Sequence, residues 1–220
     1  SLVWSTYLGG SQEDGAYSIQ IDTSGGIYIT GGTTSPDLPV SDSAWQTSYQ
    51  GGVDGFIAHY NKDRTLDALT YLGTTSYDQS YFVQLDPEGS VFVLGQTQGQ
   101  IPVSAGVYSV PNSGQFIQKY SPSLDTLILS TVFGSGQRSP NISPTAFLVN
   151  DCGRIFISGW GGGPNETYIG GSTQNMLKTT KGYQKTTDGG DFYLMVLEKD
   201  AKKILYDTYF GGTGPTGSAV

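Results

Sequence analysis

The single histidine, His59, is where acid–base or nucleophilic chemistry would have to begin, because a serine or cysteine nucleophile needs a neighbouring base. It stands in the run Phe56 to Tyr60, which has counterparts at Phe116 to Tyr120 and Phe192 to Leu197; there its position is filled by Lys119 and Val196. A position shared by His, Lys and Val reads as a place on a strand face. Paired carboxylates are the next chemistry, since glycoside cleavage needs two acids facing one bond. Glu13 and Asp14 are adjacent, so their side chains are expected to diverge, while Asp22 and Asp86 recur at one repeat position as turn builders. Arg64, Arg138 and Arg154 fall in different kinds of loop and are not expected to converge around a tyrosine. Glu13, Asp14 and Asp22 offer oxygens of the kind Ca²⁺ takes, but no twelve-residue Asp-x-Asp-x-Asp-Gly loop is present. Gly161-Gly162-Gly163-Pro164 lacks the Lys-Ser/Thr of a phosphate loop. The lone Cys152 allows no internal disulfide and is expected as a small buried residue in a hairpin turn, the alternative being a partner outside this chain. No catalytic residue, no metal and no cofactor is expected.

Binding is the chemistry that remains. Trp45, Tyr49, Tyr108, Trp160, Tyr168 and Tyr183 lie in long connections beside Asn, Gln and Thr, the company aromatic rings keep in carbohydrate and protein contact sites. Trp45, Tyr108 and Tyr183 share one repeat position, which favours packing, whereas Trp160 and Tyr168 do not recur. Trp160, Tyr168, Trp45 and Tyr49 are the candidate contacts for a ligand or partner. A net charge of −8 argues against nucleic acid, whose phosphates require basic stripes. Only 14% of residues are charged and 32 are glycine, a balance typical of secreted β-repeat proteins. No run of eighteen apolar residues occurs, so no membrane span is expected.

The elements that must carry these residues come in near-copies. Gly25-Gly26-Ile27-Tyr28-Ile29-Thr30-Gly31 recurs as Gly89-Ser90-Val91-Phe92-Val93-Leu94-Gly95 and as Gly153-Arg154-Ile155-Phe156-Ile157-Ser158-Gly159. The step from Tyr28 to Phe92, and from Phe92 to Phe156, is 64 residues. A block before the signature (Ala16 to Ile21), one after it (Phe56 to Tyr60) and one ending in a Gly turn (Leu69 to Gly73) recur with it. These blocks run five to seven residues, rich in Ile, Val, Tyr, Phe and Thr, and read as strands. The signature strands are apolar on both parities, so they need packing above and below.

Four strands per unit, Gly turns and a fixed period predict an all-β fold: a partial β-propeller of three four-stranded antiparallel blades plus one extra strand from a neighbouring blade. The expected division is 1–10 for an outer strand of a preceding or closing blade, 11–74, 75–135 and 136–212 for the blades, with an insertion over 160–181, and 213–220 for a tail or the start of a further blade. Three blades cannot close a ring, so the chain is expected to be a piece of a larger one, with two copies forming a six-bladed ring as the alternative.

Thr6-Tyr7-Leu8-Gly9-Gly10-Ser11, then Asp22-x-x-Gly25-x-Ile27-Tyr28-Ile29-x-Gly31, then Trp45-Gln46-Thr47-Ser48-Tyr49-x-Gly51-Gly52-x-Asp54-Gly55-Phe56 resembles the bacterial β-propeller repeat known as SBBP. The likeness covers nearly all of the first unit. The wording of the later units resembles very large secreted Bacteroidetes proteins that join such propellers to a gliding-motility-associated sorting domain for type IX secretion. What the resemblance implies is an extracellular or outer-surface location and a scaffold or adhesion role. Its implied partners are the remaining blades and domains of the parent chain, and surface glycans, other cell-surface proteins or export machinery. The rival expectation is a carbohydrate-active or other enzyme whose active site is completed by further blades.

Overall fold

The computed structural model describes residues 1–162 and 171–212. Its hairpins are built outward from their turns. Asp22 Oδ1 accepts the N–H groups of Ser24 and Gly26 at 2.7 and 2.8 Å, and backbone bonds from Asp22 to Gly26 and from Gly25 to Asp22 close the turn. Asp86 accepts from Ser90, and Asn150 from Cys152 and Arg154, in the same way. Gly25, Gly89 and Gly153 sit at φ of 89°, 82° and 72°, the left-handed region where a side chain would be strained. The turn chemistry read from the sequence is what the structure uses.

The strands are β1 (Asp14–Ile21), β2 (Ile27–Thr33), β3 (Asp54–Tyr60) and β4 (Leu66–Leu72) in blade 1. Blade 2 holds β5 (Asp78–Leu85), β6 (Val91–Thr97), β7 (Gln115–Tyr120) and β8 (Leu127–Phe133). Blade 3 holds β9 (Ser143–Val149), β10 (Ile155–Trp160), β11 (Phe192–Leu197) and β12 (Ile204–Phe210). Each blade is one antiparallel sheet in sequence order, as expected. One 3-10 turn, Lys199–Ala201, is the only helical element among the described residues. The inner strands bulge at one repeat position, where Tyr17, Tyr81 and Thr145 are the extra residues. Opposite the bulge stands the closing glycine of each signature; a Cβ on Gly31 or Gly95 would collide with the Gly15 or Gln79 carbonyl.

Packing explains the doubly apolar signature. On β6, Val91 and Val93 join Ile57, Val83, Phe116 and Tyr120 in one buried cluster facing blade 1. Phe92 and Leu94, on the opposite parity, join Ile117, Phe147, Ile155 and Ile157 in a second cluster facing blade 3. Strand periodicity of two sends alternate residues to different neighbours, each fully buried side chain contributing roughly 1.5–3 kcal/mol. β6 is buried along its whole length, whereas β1 leaves Ile19 and Ile21 59% and 69% exposed on the face that blade 2 does not cover.

The long β2–β3 connections run down the outer strand of their own blade and bond to its edge. Ser41 N–H donates to Leu69 O, Leu69 N–H to Ser41 Oγ, and Tyr71 N–H to Gln46 O. Blade 2 repeats this with Ser104 on Ser130 and Val110 on Val132, and blade 3 with Gln184 on Thr208 and Tyr209. A strand edge presents unpaired backbone groups, and this strap satisfies them. It accounts for blades longer than usual.

Residues 1–10 form no ladder with any described strand. They lie beside blade 1, with Trp4 edge-on to Tyr60 at 5.6 Å and Leu8 against the cluster of Phe56 and Tyr71. Cys152 departs from expectation: it is exposed, because the Asn150 turn that captures its N–H projects from the end of the sheet.

Candidate functional sites at the two ends of the blades

Antiparallel order puts the β1–β2 and β3–β4 hairpins at one end of every blade, and the straps with the blade-to-blade links at the other. At the short-turn end of blade 1, His59 stacks on Tyr28 with centroids 4.2 Å apart and planes at 16°. Its Nε2 lies 3.2 Å from Asp22 Oδ2 and its Nδ1 3.4 Å from Asp67 Oδ2. In blade 2 the cross-strand equivalent, Lys119, sits over Phe92 at 5.0 Å and bonds Asp86 and Asp200 at 3.0 and 3.1 Å. The position lies on a strand face and carries a clamp: turn carboxylate, a nitrogen-bearing side chain and the signature aromatic. In blade 3 the three members are Asn150, Val196 and Phe156, with the nitrogen-bearing side chain and the carboxylate gone together.

The electrostatics follow from these partners. Burial works against the Asp22 carboxylate, but hydrogen bonds from the Ser24 hydroxyl, the Gly26 and Ser24 N–H groups and His59 outweigh it and hold the carboxyl at about 2. Burial also opposes the Lys119 charge, and bonds to Asp86 and Asp200 override it and raise the ammonium. Tyr28 is pushed up to about 12, first by burial and then by the Asp22 and Asp67 charges.

At the strap end, Asp14 accepts from Gly10 N–H and from the Thr33 and Ser35 hydroxyls. Asp54 Oδ2 accepts Gln50 N–H at 2.7 Å, and Asp78 Oδ2 accepts the N–H and hydroxyl of Thr74 at 2.5 and 2.6 Å. Both aspartates are wholly buried, and the Oδ1 of each has no hydrogen-bond partner. Burial, with the Asp78 charge adding to it, pushes the Asp54 carboxyl up to about 7, and burial raises Asp78 as well. At the next junction the polar residues are neutral. The Gln115 amide donates to Phe133 O and accepts from Asn141 and Ile142, while Asn141 Nδ2 donates to Ser135 Oγ and Ser172 O.

Among the described residues, the candidate contacts Trp45, Tyr49 and Trp160 are not brought together. Trp45 is 48% exposed, and its N–H donates to Leu124 O of blade 2. Tyr49 is half-buried against Tyr71, with its hydroxyl donating to Gly52 O. Trp160 closes β10 between Phe192 and Ser143 and is half-buried. Tyr168 lies outside the described residues. The repeat position of Trp45 proves mixed: Tyr108 is packed into the blade 2–blade 3 cluster, while Tyr183 is 85% exposed. Sequence reasoning missed a cleft of about 340 Å³ beside the blade 2 strap, lined in part by Gln100, Ile101, Ser109, Asn112 and Arg138. It also missed the Asp54–Asp78 pair, although a carboxylate opening an otherwise apolar strand was a visible signal. Among the described residues no three His, Cys, Asp or Glu side chains gather as a metal site, and no helix is long and apolar enough to cross a membrane.

Over residues 3–39 the chain is similar to the family described as SBBP, a beta-propeller repeat. That stretch spans β1, its signature hairpin and β2. No curated protein matches the chain.

Proposed function

We propose that the chain is a non-catalytic β-propeller module of a large exported protein, placed outside the cell or at its outer surface and serving as a scaffold or adhesion element. The observation that carries this reading is the employment of the ionisable side chains. Asp22 with His59 in blade 1, and Asp86 with Lys119 and Asp200 in blade 2, form clamps whose members bond to one another. The SBBP-like stretch supports the propeller module, and the glycine-rich, sparsely charged composition supports the exported setting. The resemblance to type IX secretion substrates of Bacteroidetes supplies its finer form. Contact with glycans or surface proteins falls to exposed groups such as Trp45 and Arg138.

The rival reading, a carbohydrate-active enzyme completed by further blades, draws on Asp54 and Asp78, a carboxyl pair of perturbed affinity for protons. Both are wholly buried, so no glycosidic oxygen reaches them. A glycan array probed with the full protein tests the proposal. Retained glycans and weaker retention by Trp45→Ala and Arg138→Ala are expected. Turnover of any arrayed glycan, abolished by Asp54→Asn, would overturn it.

A further inference from the structure

The junction between blades 1 and 2 contains an arrangement that the scaffold reading does not use. Val53 and Tyr77 form a parallel bridge, and Asp78 N–H donates to Val53 O at 2.7 Å. The following residues, Asp54 and Asp78, therefore stand side by side on neighbouring strands, whose backbones lie roughly 4.8 Å apart. Each carboxyl is fixed through Oδ2 by donors from its own loop, and each leaves Oδ1 buried without a partner. Two buried bare acceptors carrying two negative charges are costly, since a charge is tolerated inside a protein only when paired.

No cation answers them. Among the described residues no Lys, Arg or His forms an ion pair with either carboxyl. The titratable groups facing the pair are phenols: Tyr49 from the strap, Tyr71 from β4 and Tyr77 beside Asp78. Burial raises all three, which keeps them neutral. The cross-strand neighbours from β2 and β6 are Thr33 and Thr97, which do not titrate, and a hydrogen bond from the Thr97 side chain offsets part of the burial that raises Asp78.

We propose that Asp54 and Asp78 share one proton, so that a carboxylic acid–carboxylate hydrogen bond locks blade 1 to blade 2 and loosens when that proton leaves. A single proton on Asp54 Oδ1, donated to Asp78 Oδ1, satisfies both bare oxygens and removes one of the two charges. The next junction supports this by contrast. There the Gln115 amide oxygen accepts the backbone N–H groups of Asn141 and Ile142 across the junction, so no proton is needed to join the two blades. The sign of the pH dependence follows. The pair holds its proton more tightly folded than unfolded, so its contribution is complete below the unfolded carboxyl range and is lost as pH rises through about 7.

Hydrogen exchange read by mass spectrometry on the full chain tests this, with rates corrected for intrinsic pH dependence. Peptides spanning 50–56 and 73–80 are expected to be at least about tenfold better protected near pH 5.5 than near pH 8.5. Peptides around Gln115 and Asn141 should show no such change. Asp54→Asn and Asp78→Asn should each flatten the profile, because the new amide donates in place of the proton. Should neither variant fold, the wild-type infrared spectrum decides: a carboxylic acid carbonyl band present near pH 5.5 should titrate away around pH 7. Uniform protection across pH, absence of that band, or recovery of protection at pH 8.5 on adding millimolar Ca²⁺ would each overturn the shared proton, the last in favour of a cation.

Discussion

The junction between blades 1 and 2 and the junction between blades 2 and 3 have the same middle and opposite ends. Each is sealed by an apolar layer from alternate faces of the sheets, Ile57 with Val83 and Val93 in one, Ile117 with Phe92 and Ile155 in the other. Their charges are distributed differently. At the strap end the first holds two buried carboxyls and the second two amides. At the short-turn end the first is tied by a neutral phenol, Tyr28 donating to Pro122 O at 2.8 Å, and the second by the Lys119–Asp200 ion pair. The backbone geometry of a blade is thus compatible with several polar solutions, provided each buried group finds a partner.

The largest effect should come from the charged tie. Lys119→Met leaves Asp86, whose side chain is 2% exposed, without its cation. Equilibrium unfolding should show a loss of about 3–5 kcal/mol. A loss below ~1 kcal/mol would mean that the two short-turn ends do not differ in substance. The apolar layers, by contrast, should respond alike: Ile57→Ala and Ile117→Ala are each expected to cost about 2–5 kcal/mol in the same assay, and a large disparity would break the equivalence of the two middles. Tyr28→Phe removes the neutral tie and should cost about 1 kcal/mol, well under the Lys119 change.

The smallest effect is expected for Asp22→Asn, since Asn150 already builds the equivalent turn. At neutral pH its cost should stay below ~1 kcal/mol, a hydrogen bond's worth. Its signature lies in acid. The wild-type carboxyl, held at about 2, contributes stability above the unfolded carboxyl range and loses it as pH falls from about 4 towards 2. Denaturant midpoints measured across that window should flatten in the variant.

Much of this fold was legible because backbone requirements repeat. Gly25, Gly89 and Gly153 recur where φ is positive, Asp22, Asp86 and Asn150 where two N–H groups need an acceptor, and the signature strands are apolar on both parities because both faces are covered. What escaped was set by contacts that no local pattern announces. The straps bond outer strands through scattered single pairs such as Gln46 with Tyr71 and Gln184 with Tyr209, so they read as loose connections. Asp54 and Asp78 stand far apart in sequence and meet only through a single parallel bridge. Aromatic residue type did not separate roles either. Tyr108 and Tyr183 occupy one repeat position, yet one is packed between blades and the other faces water.

Residue-resolved amide exchange on the outer strands tests most directly that each long connection seals its own blade. The N–H groups of Leu69, Tyr71, Ser130 and Tyr209 point outward to Ser41, Gln46, Ser104 and Gln184. They are expected to exchange as slowly as the central-strand amides of Ile57 and Ile117. Exchange at the rate of an uncovered sheet edge would contradict the strap, and with it the reason these blades are long.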